Sequence, residues 1–333
     1  MPAPETLMPR RLPRVTSQAL AMRPETRRLF VLVAVGAIVT ATALGAAVAF
    51  LGDRLAGFST GTAWIAATWG AVGAFVASIL GAMALPVARR LLIARADVQL
   101  VEAASPLHPL LKRLMTEAPG TYAHSLATAS LAEAGAEALG ADPLVARVGA
   151  YYHDIGKIRQ PCFFFENLGD EANPHDVTKP ALSALIISAH VNDGMELAEE
   201  YDLPLRIRDI IREHHGTSLI RYFYYKAAEG EPGLGEGDFR YHGGVPRTRE
   251  AAIVMLADGC EASVRALKNF GFSEVEDTVR GVIAEKDEDG QLAESGLTDA
   301  EVEVLAETFI RLLVSMMHAR CEYPRFQHSP KGE

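Results

Sequence analysis

Hydrophobic positions fall into two regimes along this chain. No charged side chain interrupts residues 29–51, nor residues 55–88. Polar positions do not recur there at helical spacing, so neither run reads as the half-buried helix of a soluble core. Each is at least as long as the roughly 20 residues that carry a helix across a bilayer. The pattern predicts two transmembrane spans, about 29–51 and 63–88, forming a hairpin over residues 29–93. The second span is rich in Gly and Ala, which suits close helix packing in lipid. Trp64 fits a membrane interface and ordinary apolar packing equally well. A cleaved leader is disfavoured, because the first run is too long for a typical signal core and a second follows directly.

From Pro106 to Pro324 the apolar positions recur at helical spacing instead. Leu126, Ser130, Leu131 and Ala134 form one stripe, and Ile207, Ile210 and Ile211 another. Val254, Leu256, Val264 and Leu267 form a third, and Val302, Leu305, Phe309, Leu312, Leu313 and Met316 a fourth. Asp142-Pro143, Ser273-Glu274 and Thr298-Asp299 are predicted helix starts. Phe163-Phe164-Phe165 is a short β-rich run. Glu229 to Arg249 is rich in Gly and Pro and predicts a long loop with scope for motion. The fold class expected is all-α: a helical domain over 106–324, with a Pro/Arg-rich tail at 1–28, a helical stalk at 94–105 and a short tail at 325–333.

Charge sharpens this division. Residues 1–100 carry 10 basic and 4 acidic side chains within a chain of net charge −10, so the remainder carries −16. Arginines precede the first run and follow the second. The intervening loop holds only Arg54, beside Asp53, so both ends of the hairpin are expected on the cytoplasmic side. The acidic remainder argues against DNA or RNA as a partner. Three scattered cysteines, Cys162, Cys260 and Cys321, do not make a disulfide framework and fit a reducing compartment.

The candidate chemistry lies in the helical region. His153 and Asp154 are adjacent, followed by Gly156 and Lys157. His124 precedes them, and His190, His214, His215 and Asp258 follow. Imidazole and carboxylate are ligands for Zn, Mn or Fe without any thiolate. Seven donors exceed one tetrahedral ion and predict two divalent metals. Adjacent residues on a helix diverge by about 100°. Adjacent ligands therefore suit neighbouring ions, with Asp154 able to bridge. Gly156 and Gly216 read as glycines that end the helices carrying these pairs. The other histidines fall in loops or near the end. Of these, His175 in Asn173-Pro174-His175-Asp176 reads first as a turn residue.

The order His124, His153-Asp154, Asp258 resembles the HD-domain metal-dependent phosphohydrolases, with His153-Asp154-Ile155-Gly156 in the HDIG form. Longer stretches are similar to the bacterial seven-transmembrane HD family. They include Glu117 to Leu126, Arg147 to Lys157, Asn173 to Asp176, His214 to Leu219, Tyr222 to Lys226, Ala251 to Asp258 and His318 to Pro324. The resemblance spans roughly Val98 to Pro324. It implies an HD-domain helical bundle with a di-metal site. It also implies that His124, His153, Asp154, His190, His214, His215 and Asp258 are the ligands, with Mn or Fe most expected. Members of that family hydrolyse cyclic di-AMP to 5′-pApA. The chain departs from the family in front of the domain, where two spans replace seven and no sensor domain is present.

The expected function is therefore a multi-pass enzyme of the inner (cytoplasmic) membrane, held in lipid by its two spans. It would act on a cyclic dinucleotide, with a homodimer supported by hairpin packing. Asp154 and Lys157 are expected at the chemistry. Lys157, Thr217, Ser218 and Tyr225 are expected to contact substrate. Two alternatives remain: an HD hydrolase acting on another nucleotide, and a non-catalytic nucleotide receptor. A cyclic di-GMP enzyme is disfavoured, because Gly-Thr-Ser follows His214-His215 and no Gly-Tyr-Pro appears.

Overall fold

The chain divides after Ala94 into two units, residues 1–94 and 95–333. The computed structural model describes residues 98–318 except 170–171, 230–234 and 269–270, together with a few helical residues between 61 and 76. The basic tail at 1–28, the span at 29–51, most of that at 63–88, the first part of the stalk and the tail at 325–333 lie outside the described residues. No helix of the described residues is long and apolar enough to cross a membrane.

The second unit is helical throughout its described length. Its longer helices are α1 Pro109–Glu117, α2 Pro119–Leu139, α3 Pro143–Tyr152, α4 Pro180–Glu200, α5 Leu205–Glu213, α6 Arg221–Ala228, α7 Arg249–Arg265, α8 Phe272–Glu288 and α9 Asp299–His318. Among the described residues no strand forms, and the β-pairing is one isolated bridge, Leu219 to Arg240. Phe163-Phe164-Phe165 does not extend into a strand. It links a 3-10 turn, Pro161–Phe163, to a single helical turn, Phe165–Leu168.

Local chemistry explains where the helices begin. The Asp142 carboxylate accepts from the Val145 amide at 3.2 Å, with Pro143 in the first turn of α3. Thr298 and Glu301 exchange side-chain and backbone bonds at the start of α9, a capping box. The start expected at Ser273 moves to Gly271, whose extended backbone precedes Phe272. Thr248 caps α7 by accepting from the Ala251 amide at 3.2 Å.

Helix α7 is the central element. Ala251 to Asp258 are all buried, so it has no polar face over two turns. It packs on α2, α3, α5, α8 and α9. Helix α2 buries small residues, Ala129, Ala132, Gly135 and Ala136, and a β-carbon at Gly135 would meet Leu305 and Phe309 of α9 and Ile253 of α7. Helix α5 inserts Ile207, Ile210 and Ile211, each at most 1 % exposed. Each such side chain stabilises the fold by roughly 1.5–3 kcal/mol as an upper estimate.

The segment predicted as a loose loop, 229–249, is in its described part pinned to the chain that follows the His pair. Ile220 donates to Phe239 at 2.8 Å, Tyr241 to Ser218 at 3.1 Å and Gly243 to Gly216 at 3.2 Å. Gly243 is required by close approach, since a β-carbon there would lie 1.8 Å from the Arg212 carbonyl oxygen. Glu213, buried at the end of α5, accepts from the backbone N–H and guanidinium of Arg247 at 3.0 and 2.8 Å. That pair ties the end of α5 to the start of α7, the two elements that carry His214, His215 and Asp258.

Candidate metal centre

Five elements bring seven side chains to one point. His124 lies in the second turn of α2, and His153 caps the end of α3, with Asp154 next. His190 lies midway along α4. His214 caps α5, followed by His215, and Asp258 lies on α7. All are buried except His215, which is half-buried. Their donor atoms form two clusters. One holds His124, His153, Asp154 and Asp258; the other holds Asp154, His190, His214 and His215. Asp154 belongs to both. Its Oδ2 lies 3.2 Å from His153 Nε2 and 3.7 Å from His124 Nε2, and its Oδ1 lies 3.3 Å from His190 Nε2 and 3.7 Å from His214 Nε2.

The orientation of the rings fits cations in both clusters. The Nδ1–H of His153 donates to the Ala150 carbonyl at 2.8 Å, that of His190 to Ile187 at 2.5 Å and that of His214 to Ile211 at 2.7 Å. Each ring spends its proton on its own helix and turns its Nε2 lone pair inward. His190 Nε2 and His214 Nε2 then face each other at 3.2 Å. Two lone pairs that close repel unless a positive charge lies beside them. His153 Nε2 and Asp154 Oδ1 are buried with no hydrogen-bond partner. Such orphaned acceptors are costly unless something else satisfies them.

Electrostatics separates the two clusters. Burial pushes His190 down to about 3 and holds His215 well below the usual imidazole range, so both are neutral and free to ligate. For His153, burial works downward, but Asp154 and Asp258 outweigh it and push it up to about 10. The cluster with two carboxylates therefore attracts positive charge more strongly. Burial would raise Asp154, yet Lys157 and His153 hold it well below the usual carboxylate range.

Several residues around the centre had no role in the sequence reading. Glu261, one turn after Asp258 on α7, places Oε2 2.5 Å from His124 Nδ1. A carboxylate on the outer nitrogen fixes ring orientation and raises ligand basicity. The i+3 spacing from Asp258 was a legible signal. Glu261→Gln is expected to weaken the metal held by His124, His153, Asp154 and Asp258 about 10- to 100-fold, leaving the other cluster near wild type. Competition with a fluorescent chelator measures both affinities. Glu166 accepts from Lys157 Nζ at 2.8 Å and from the Thr121 hydroxyl at 3.0 Å. Nothing local to Glu166 announced this. Tyr241 stacks on His215 at 4.2 Å between ring centroids.

The clusters open into a cavity of about 440 Å³, within the range of small-molecule sites. Phe163, Phe164, Phe165, Tyr222, Phe223 and Tyr241 supply its aromatic walls. Lys157 lines it, but its ammonium is held by Asp154 at 2.7 Å and by Glu166. The Thr217 amide and hydroxyl are engaged by Gln291, so Thr217 faces a structural partner rather than the cavity. Ser218 Oγ accepts from Lys286 at 2.8 Å. Tyr225 is exposed and does not line the cavity; it sits almost a turn further along α6 than Tyr222, which does. His175 lies in the 3-10 turn Pro174–Asp176 and is buried in the cavity wall. It bonds Ser183 and the Phe163 carbonyl, each at 2.9 Å, and holds the aromatic wall in place.

Comparison with known proteins agrees with this geometry. A family model described as HD domain matches residues 121–263. The chain is 43% identical over 270 residues to the cyclic-di-AMP phosphodiesterase PgpH of Bacillus subtilis, covering 81% of this chain and 38% of that protein. It is 42% identical over 253 residues to PgpH of Listeria monocytogenes, covering 76% and 35%. It thus spans well under half the length of these relatives. The crystal structure of the L. monocytogenes PgpH HD domain in complex with cyclic di-AMP matches with a TM-score of 0.62 and 42% identity, over 64% of this chain and 99% of that one.

Proposed function

This chain belongs to the HD-domain family, and on that footing we propose that it is a metal-dependent phosphodiesterase hydrolysing cyclic di-AMP to 5′-pApA. The observation that carries the proposal is Asp154, shared by two buried donor clusters at the floor of an aromatic-walled cavity. The matched HD domain is described in complex with cyclic di-AMP, and nearly all of it is represented here. His124, His153, Asp154 and Asp258 would hold one divalent ion, and Asp154, His190, His214 and His215 the other. Mn or Fe suits this thiolate-free set. Such a pair supplies an activated water and neutralises charge on a phosphoryl group.

The chain's own side chains do the rest. Asp154 fixes the spacing of the two clusters. Lys157, tied to Asp154 and Glu166, orients the bridging carboxylate. Tyr222 and Phe223 offer faces on which adenine stacks, the part expected of Tyr225. Water attacks phosphorus, the bond to the ribose 3′ oxygen breaks, and that oxygen leaves as the hydroxyl of the linear product. The uncharged runs at 29–51 and 63–88 would anchor this domain in the cytoplasmic membrane.

Incubating the purified chain with Mn²⁺ and cyclic di-AMP, cyclic di-GMP, pApA and ppGpp in turn tests the proposal. Cyclic di-AMP is expected to yield 5′-pApA, and a chelator to stop the reaction. Turnover of ppGpp alone, or chelator-resistant turnover, would sink it.

A further inference from the structure

Among the described residues, three Lys and Arg side chains line the cavity: Lys157, Arg265 and Lys286. Lys157 is saturated by two carboxylates. Arg265 sits 3.7 Å from Glu261. Lys286 differs. Its Nζ donates to Ser218 Oγ at 2.8 Å, and among the described residues no carboxylate lies within 4 Å of it. A lysine in the last turn of a helix ordinarily reaches solvent and complements the dipole. This one turns into the cavity and is half-buried, and desolvation lowers its pKa. An ammonium removed from water with one hydroxyl partner is unfavourable, and two of its three donors are unspent.

Its position says what would use them. Ser218 follows the His214-His215 pair by three residues, so the Lys286–Ser218 pair is tethered beside the donor clusters. Yet Lys286 is beyond ion-pair distance of Asp154 and Asp258. The phosphoryl group that reacts must lie on those clusters. Lys286 is not part of either cluster, so an anion it binds is held beside the reacting group rather than among the donor atoms. A cyclic dinucleotide carries two phosphodiesters, and only one is cleaved at a time.

We propose that Lys286, with the Ser218 hydroxyl, binds the second, non-reacting phosphodiester of the substrate. The inference rests on the cyclic-dinucleotide reading above and assigns Lys286 as a specificity-determining contact within it.

The test compares cyclic di-AMP with bis(p-nitrophenyl) phosphate, a diester with a single phosphate, in the full chain and its Lys286→Met, Lys286→Gln and Lys286→Arg variants. Met and Gln are expected to raise KM for cyclic di-AMP about tenfold or more, while kcat changes less than about threefold. The ratio of kcat/KM for cyclic di-AMP to that for the nitrophenyl diester then falls by about the same factor. Arg is expected to recover much of the loss. Equal losses on both substrates, or an unchanged KM for cyclic di-AMP, would overturn the assignment. So would loss of thermal stability in both Met and Gln variants, because the ammonium would then serve the fold. Failure of the cyclic-dinucleotide reading shows separately, as a wild-type chain that does not cleave cyclic di-AMP, and the inference falls with it.

Discussion

Replacing Asp154 with alanine is expected to remove both metals and to cut cyclic di-AMP hydrolysis by at least about 10³-fold, some 4 kcal/mol of transition-state stabilisation. The size follows from position. Each of the other six candidate ligands serves one cluster, and Asp154 serves two. Losing His215 leaves three donors around one ion and the other cluster intact. Losing Asp154 leaves three donors around each, and the second cluster then has imidazoles only. Nothing holds the clusters at a fixed separation afterwards. Lys157 also loses its nearest partner, at 2.7 Å, and keeps Glu166. Leaving a buried charge half-paired destabilises by up to about 3–5 kcal/mol. Asp154→Asn is therefore the companion variant, since it keeps the shape and an acceptor for Lys157. Metal-to-protein ratios from elemental analysis, read beside thermal unfolding, separate lost metal from lost fold. Two metals per chain and near-wild-type turnover in Asp154→Asn would refute the bridging role.

The clustering of the seven candidate ligands was legible because its signals were local. His153-Asp154 and His214-His215 each sit where a helix stops, and the periodicity of the preceding residues told which side faced the core. What was not legible came from pairings distant in sequence. Gln291 meets Thr217, Glu166 meets Lys157 beside Thr121, and Tyr241 reaches His215 from a segment that read as a long loop. No spacing along the chain encodes those contacts. The substrate residues fared unevenly for the same reason. Thr217 and Ser218 follow the His pair, but Thr217 is committed to Gln291 just beyond α8, and Ser218 pairs with Lys286 on α8. Of the aromatic run Tyr222 to Tyr225, helical geometry turns only part towards the cavity. The glycines divide instructively. Gly216 has φ +60, the left-handed backbone expected after a helix end. Gly156 was read the same way, yet its φ is not positive, and another reason must account for it.

That reason is close approach, and it makes Gly156→Ala the second large effect. A β-carbon at Gly156 would lie 1.9 Å from the His190 carbonyl oxygen, 2.8 Å from the His190 carbonyl carbon and 2.5 Å from the Gly194 nitrogen. All three are backbone atoms of α4, so no side-chain rotation relieves the clash. The 3-10 turn Ile155–Arg159 and α4 must separate, by about 1 Å or more given carbon contact distances near 3.5 Å. That turn begins immediately after Asp154, and the part of α4 it touches includes His190. The shift therefore stretches the 3.3 Å approach of Asp154 Oδ1 to His190 Nε2, which lies within the cluster of Asp154, His190, His214 and His215. Misplacement by about 1 Å costs roughly 10²-fold in rate, and overpacking a tight contact destabilises by about 1–3 kcal/mol. Gly156→Ala should accordingly weaken the metal held by Asp154, His190, His214 and His215 more than the other, and lower kcat about 100-fold. Gly281→Ala, on α8, is the control, because its β-carbon would meet nothing within 4 Å and its φ is ordinary. It should leave activity unchanged and raise stability by up to about 1 kcal/mol through better helix propensity. If Gly156→Ala binds two metals with wild-type affinity and turns over at the wild-type rate, the close approach does not set the metal geometry, and the glycine of this motif needs a different explanation.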